Sequence, residues 1–275
     1  MLCWVAVYLP LAVLAVLFGH ALVEGLPQLG SAFFEGYPSA SPNRAGILPA
    51  VAGSLYVISL TGIIAIPLGI GAAIYLEEYA PSRFSGLVEM NLAQLAGVPS
   101  VLYGLLGLGL FVHVLGMGTS VLVGALALAM LVLPLVIITT REALRAVPAT
   151  SREAAMALGA TRWQTVRQIV LPVAWPRITT GVILALSRAL GETAPLILVG
   201  ALAYVSFLPD GLGSPYTVLP VQIFHWVTRA REGFVPNAAA GVLVLLTVTV
   251  ALNSLAIFLR NRVARAAVKQ LEVAP

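Results

Sequence analysis

The 275-residue chain is 60% hydrophobic and only 9% charged, with a mean hydropathy of +0.99. Soluble domains carry about a quarter charged residues, so a soluble enzyme is excluded. The formal charge of +4 gathers in a few short stretches and leaves no basic face for nucleic acid to bind.

A transmembrane helix takes about 20 predominantly apolar residues. Residues 1–23 carry no charge and read as a first membrane helix. They lack a basic leader and their apolar run is long for a cleaved signal, so they are expected to be retained. Residues 24–48 read as an external loop rich in Gly, Pro and Ser, and 45–76 are again uncharged. The uncharged run 90–140 has room for two spans, with Gly116 and Gly118 turning the chain between them. Residues 173–202 read as a fifth span broken only by Arg177, Arg188 and Glu192, and 233–259 as a sixth. The expected fold is all-α and polytopic, with six transmembrane helices in one membrane domain.

Chemistry that the chain lacks narrows its role. Cys3 is the only cysteine, and His20, His113 and His225 lie far apart among apolar residues, without metal-ligand spacing. The only lysine, Lys269, follows Ala267 and Val268, whereas a P-loop needs Gly-Lys-Ser/Thr to reach the β- and γ-phosphates. No cofactor, metal or catalytic group is expected, and ATP hydrolysis would have to occur on another chain.

Six spans place both termini on one side, and Lys/Arg counts choose it. The stretch 141–177 holds six arginines, the tail after Leu259 four basic residues, and the 77–88 turn Arg83. The opposite side holds only Arg44, Arg229 and Arg231. Both termini and the 141–172 loop are therefore expected in the cytoplasm. Tyr75, Tyr79, Trp163 and Trp175 would mark the inner boundary, and Tyr204 and Trp226 the outer one. The outer segments 24–48 and 203–236 suit either plain connections or a docking surface for an external partner.

Within 141–172 two short helices are expected. Thr150 and Glu153 fit a capping box, the run Ala154–Leu158 favours helix, and Gly159 permits the left-handed conformation that ends one. A second helix would run from about Thr161 to Val170 and close at Leu171 and Pro172. The small alanine face bounded by Arg152 and Glu153 suits a groove in another protein; the arginines Arg162 and Arg167 equally suit an anionic lipid surface.

These residues carry a resemblance. Glu153-Ala154-Ala155, Gly159 six residues after the glutamate, and Ile169-x-Leu171-Pro172 ten residues further resemble the EAA loop of ABC-importer permeases. The resemblance implies that Glu153, Ala154, Ala155 and Gly159 contact a separate ATPase subunit.

Ser187-Arg188-Ala189-Leu190-Gly191-Glu192-Thr193-Ala194-Pro195 is the sharper chemical signal. Arginine at mid-membrane costs about 2.5–3.5 kcal/mol and so faces a cavity or a partner. Arg188 and Glu192 stand at i,i+4 and can touch. Pro195 has no N–H for the Gly191 carbonyl, and Ser187 and Thr193 add hydroxyls. The pair suits a structural ion lock or an anion path, where the guanidinium fork matches a tetrahedral oxyanion. Glu192 could accept a hydrogen bond from protonated phosphate, which sulfate cannot donate.

The run Arg188–Pro195 is similar to the fifth-span signature of phosphate-importer permeases. Leu219–Phe224, Ile74–Pro81 and Val98–Gly104 resemble their PstA-type subunits, over about Ile47 to Arg262. What this implies is a type I ABC-importer permease in the bacterial inner membrane. Its five-helix core would be 49–262, following the first helix and the 24–48 loop and preceding a 263–275 cytoplasmic tail. The implied partners are a PstC-like permease, a PstB-like ATPase dimer that binds ATP, an external phosphate-binding protein, membrane lipid and inorganic phosphate. A permease for sulfate, molybdate or tungstate is the nearest alternative. An ATP-independent channel or secondary transporter is another, which the EAA pattern disfavours.

Overall fold

The computed structural model describes residues 2–202, 204–229 and 233–272; Arg231 lies outside them, as do the side chains of Cys3, Arg265 and Lys269. Helix α1 (Leu2–Gly25) opens the chain, and a short helix α2 (Ser31–Glu35) follows. Helix α3 (Leu48–Ile74) ends in a π-helical turn, Tyr75–Tyr79. Helices α4 (Ser82–Ala96) and α5 (Ser100–Gly107) come next, α5 continuing as a π-turn, Leu108–Val114. Helix α6 (Val121–Arg145) leads to the short α7 (Ala149–Ala157) and α8 (Arg162–Thr165). Helix α9 (Leu171–Leu190), the short α10 (Ala194–Leu198), α11 (Leu219–Thr228) and α12 (Val235–Glu272) complete it.

Five of these helical stretches are long and apolar enough to cross a membrane, and the bent pair α4–α5 makes a sixth when counted as one broken span. The third span is thus not a straight rod beginning near Met90. It turns by 98° between Ala96 and Ser100, because Gly97 favours helix ending and Pro99 holds its predecessor out of the helical region. Tyr103 fixes the elbow, donating its hydroxyl to the Leu95 carbonyl at 2.8 Å. Beyond α5, Gly116 (φ +63°) and Gly118 (φ +67°) supply the expected turn into α6.

Helix α6 is the hub, packing against α3, α4, α5 and α9. Lipid tails are as apolar as leucine, so helices in a membrane associate by close backbone approach at small residues. Gly69 of α3 lies against Val136 and Gly181 of α9 against Thr139, leaving no room for a Cβ at either. Thr61 bridges the same interface, donating to the Val57 carbonyl in its own helix at 2.8 Å and reaching the Ala125 carbonyl of α6 at 3.3 Å. By contrast, Val7, Leu14, Val16 and Leu17 of α1 stay exposed, and α1 packs chiefly along α12, as expected for a helix surrounded by lipid.

The two outer segments fold together. Phe33 meets Trp226 with ring centroids 5.9 Å apart, in a second core with Ala45, Ile47 and Phe234. Arg229 donates to the Ser39 carbonyl at 3.2 Å and lies 4.5 Å over the Phe234 ring. Asn237 donates to the carbonyls of Pro42 and Ala45. Trp226 is accordingly buried, at 2% exposure, and is not the lipid-boundary residue that its position in the sequence suggests. The segment after α10 also returns over α6: Val121 N–H donates to the Ser214 carbonyl, Leu202 N–H to that of Tyr216, and Leu219 N–H to the Ser54 hydroxyl.

Candidate functional site: a coupling loop and a broken span

The loop between α6 and α9 holds the first half of the site. Its first helix, α7, starts behind Pro148 with no side-chain cap. The capping box expected at Thr150 and Glu153 does not form, since a proline N-cap already sets the entry to the helix. The box sits instead at α8, where the Thr161 hydroxyl accepts from Gln164 N–H and the Gln164 side chain accepts from Thr161 N–H at 2.8 Å. Gly159 does end α7 as expected. It takes φ +87°, its N–H bonds to the Met156 carbonyl, and Ala160 N–H to that of Ala155, the paired bonds of a Schellman cap.

The second helix does not close at Pro172. Arg162–Leu190 is one continuous stretch of 29 residues, in which a π-turn, Val166–Val170, directly precedes α9. There Leu171 N–H bonds five residues back to the Val166 carbonyl, and this widened turn admits a proline at the next position without a break.

Helix α7 buries none of its residues. Glu153 and Ala154 are exposed and Ala155 is half-buried; Glu153 makes no ion pair among the described residues. Leu158 at the tip is 90% exposed, with Met156 and Trp163 also outward. Arg152 departs from the expected free face and turns inward, pairing with Glu78 at the end of α3 at 3.0 Å.

That ion pair borders a network the sequence reading missed. Arg141, at the buried end of α6, contacts Glu77 at 3.2 Å and donates to the Ser85 hydroxyl at 2.6 Å. Arg145, one turn on, grips Glu89 of α4 with two bonds of 2.8 Å and reaches Glu77 at 3.0 Å. Three guanidinium groups thus face the three carboxylates of Glu77, Glu78 and Glu89, a neutral set that offsets desolvation better than lone charges would. The available signal was the i,i+4 spacing of Arg141 and Arg145 facing the adjacent glutamates Glu77 and Glu78, yet that spacing names no partner on a distant helix.

The second half lies at the far end of α9. Helix α9 stops at Leu190, and residues 191–193 separate it from α10. The fifth span is therefore interrupted, at the place where Pro195 leaves the Gly191 carbonyl without its usual partner. Gly191 itself has weak helix propensity. Arg188 sits in the last turn of α9, not at mid-helix, where its charge complements the helix C-terminus. Arg188 Nε lies 3.7 Å from Glu192 Oε1, with the arginine side chain 53% exposed and the glutamate 17%. Ser187 is buried and its hydroxyl has no hydrogen-bond partner among the described residues. Thr193 is half-buried at the break itself.

Of the four residues expected at this site, Arg188 and Glu192 meet; Thr193 follows Glu192 at the break, and Ser187 is turned into the protein beside the exposed Arg188. Glu153, Ala154, Ala155 and Gly159 form a separate group, divided from this site by about 38 Å of helix at 1.5 Å per residue. Helix α5 backs the broken span: Gly104 leaves no space for a Cβ beside Pro195, and Gly107 meets Val199 and Ala127.

A bundle of six crossings, with an outward-hung helical loop between the fourth and fifth, defines the fold of type I ABC-importer permeases. A permease chain of the bacterial alginate importer has the same fold, with a TM-score of 0.63 at 15% identity over 95% of this chain and 92% of that one. The chain belongs to the family of binding-protein-dependent transport system inner membrane components, whose pattern matches residues 65–269. It is 34% identical over 241 residues to the probable ABC transporter permease protein YqgI of Bacillus subtilis, covering 83% of this chain and 81% of that one. It is 33% identical over 257 residues to the phosphate transport system permease protein PstA of Haemophilus influenzae, covering 92% and 89%. It is thus a multi-pass membrane protein and a permease component.

Proposed function

We propose that the chain forms half of the translocation path of an ATP-driven phosphate importer, in the role of a PstA-type subunit. The observation that carries the cargo is its similarity, along nearly the whole chain, to the Haemophilus influenzae phosphate permease, together with a paired arginine and glutamate at a break in the fifth span. An arginine half exposed at membrane depth is costly unless it meets water or protein. A second permease subunit, PstC-like, would cover that face and enclose the path.

Phosphate entering beside Arg188 would exchange the weak 3.7 Å contact with Glu192 for bonds to the guanidinium fork. Glu192, released, would accept the O–H of a protonated phosphate, and Thr193 would donate to another of its oxygens. On the cytoplasmic side the exposed α7, with Glu153, Ala154, Ala155 and Gly159, would seat in a PstB-like ATPase dimer that binds and hydrolyses ATP. Both termini would share that side, and an external phosphate-binding protein would deliver cargo to the packed outer segments.

The test is ATPase activity of the complex reconstituted in vesicles with its binding protein. Phosphate should stimulate hydrolysis and sulfate should not; stimulation by sulfate alone would overturn the cargo.

A further inference from the structure

We infer that Arg152 is a positioning residue that ties the coupling helix α7 to spans α3 and α6, so that a push on α7 reaches those two spans directly and not only through α9. The inference rests on the coupling role proposed for α7. Arg152 spends its whole fork on this task. Its Nη2 and Nε reach Glu78 Oε1 at 3.0 and 3.3 Å, Nη2 also donates to the Leu144 carbonyl at 2.8 Å, and Nη1 to the Val147 carbonyl at 2.7 Å. Glu78 belongs to the turn that ends α3, Leu144 to the last turn of α6, and Val147 to the link that follows it. One side chain of α7 therefore grips the ends of two membrane helices with charge-assisted bonds.

Helix α7 buries no residue; it touches α8 and the Val166–Val170 turn, and residues 146–148 join it to α6. On its far side the route to α9 passes Gly159, a backbone joint in the left-handed region. Between α7 and the helix ends lies a cavity of about 380 Å³, lined by Glu77, Glu78, Arg145, Arg152, Met156 and Arg162 among others, so the two sides meet across open space bridged by Arg152.

Downstream the connection is stiff. Glu77, adjacent to Glu78 in the same turn, binds Arg141 and Arg145 of α6, and α3 and α6 form the most extensively packed helix pair among those described. A displacement of α7 is thereby handed to a block of two spans that moves as one. The charge of Arg152 faces Glu78 from α3 and, across the cavity, Arg145 from α6, Glu77 from α3 and Arg162 from α8.

The experiment uses the complete complex in vesicles, reading phosphate transported per ATP hydrolysed for Arg152→Gln, Glu78→Gln and the double variant. The ratio should fall about tenfold for Arg152→Gln and about threefold for Glu78→Gln, with the double variant no worse than Arg152→Gln alone. A ratio unchanged while both fluxes drop together would mean a purely structural role and overturn the inference. So would an effect of Arg152→Gln with none from Glu78→Gln, which would place Arg152 at the ATPase itself. Amide hydrogen exchange over 149–158 in the intact complex reads the clamp without reference to cargo. Each single variant should speed exchange by about fivefold or more, and unchanged exchange would overturn the clamp. Failure of phosphate to stimulate the unaltered complex would instead remove the cargo assignment and leave the exchange result standing.

Discussion

Arg188 and Glu192 touch through a single long contact of 3.7 Å, a distance at which a charge pair holds without the directional bond that would lock it. This looseness suits a resting pair that must open for an anion. Removing the positive charge should remove the anion's only full counter-charge at this point of the chain. Arg188→Gln is expected to lower phosphate uptake about 100-fold, or about 2.7 kcal/mol of barrier, with membrane levels retained; near-normal uptake would exclude it from the path. Glu192→Gln should act differently. An amide can donate as well as accept, so a site that penalises fully deprotonated sulfate would lose that penalty. Competition by sulfate for phosphate uptake should therefore rise, and unchanged discrimination would remove the acceptor role. Arg188 and Glu192 could be picked out as candidates in the sequence, because charge inside an apolar run stands out against its background. Arg141, Arg145 and Arg152 were visible as cytoplasmic charge, but their partners lie about 60 to 75 residues away along the chain, a pairing that no local pattern encodes.

At the scale of elements, two glycines illustrate different constraints. Gly159 stands in open space, with no atom near the position a Cβ would take, yet its φ is +87°. Gly159→Ala should cost about 1 kcal/mol through backbone strain alone, loosening the end of α7 and lowering uptake severalfold without loss of the folded protein. Gly104 has ordinary backbone angles but presses on Pro195 of α10. Gly104→Ala should therefore force α5 and α10 apart, at about 1–3 kcal/mol, and lower the unfolding temperature in detergent. If the thermal effect were larger at Gly159 than at Gly104, this division would be wrong. The Schellman cap at Gly159 could be anticipated because its signal is local: good helix formers followed by glycine. The capping box was misplaced because Thr150 and Thr161 offer the same pattern three residues ahead of Glu153 and Gln164, and only the fold shows that Pro148 had already taken the first helix's N-cap.

For the whole molecule, the distribution of basic residues gives an orientation that labelling can read. With Cys3 replaced by Ser, Ala157→Cys at the exposed end of α7 should react with a membrane-impermeant maleimide only after permeabilisation. Gly211→Cys, in the exposed turn after α10, should react in intact cells. The reverse pattern would invert the topology and remove α7 from the ATPase side. The outer segments 24–48 and 203–236 could be taken as loose connections, but they share a core around Phe33, Trp226 and Phe234. An external partner would therefore meet a preformed surface.

The number of spans, the loop between the fourth and fifth, and the charged residues of the fifth were determined by the sequence itself. Each is a contrast against an apolar background, and the bilayer acts on such contrasts through solvation, one segment at a time. The inward turn of Arg152 and the burial of Trp226 were decided only by tertiary structure. Each depends on which helices meet and how closely. In a chain this apolar, hydrophobic patterning marks what is buried in the membrane without marking what is buried in the protein. That second partition is made by small residues at the crossings and by carboxylates and guanidinium groups meeting at helix ends.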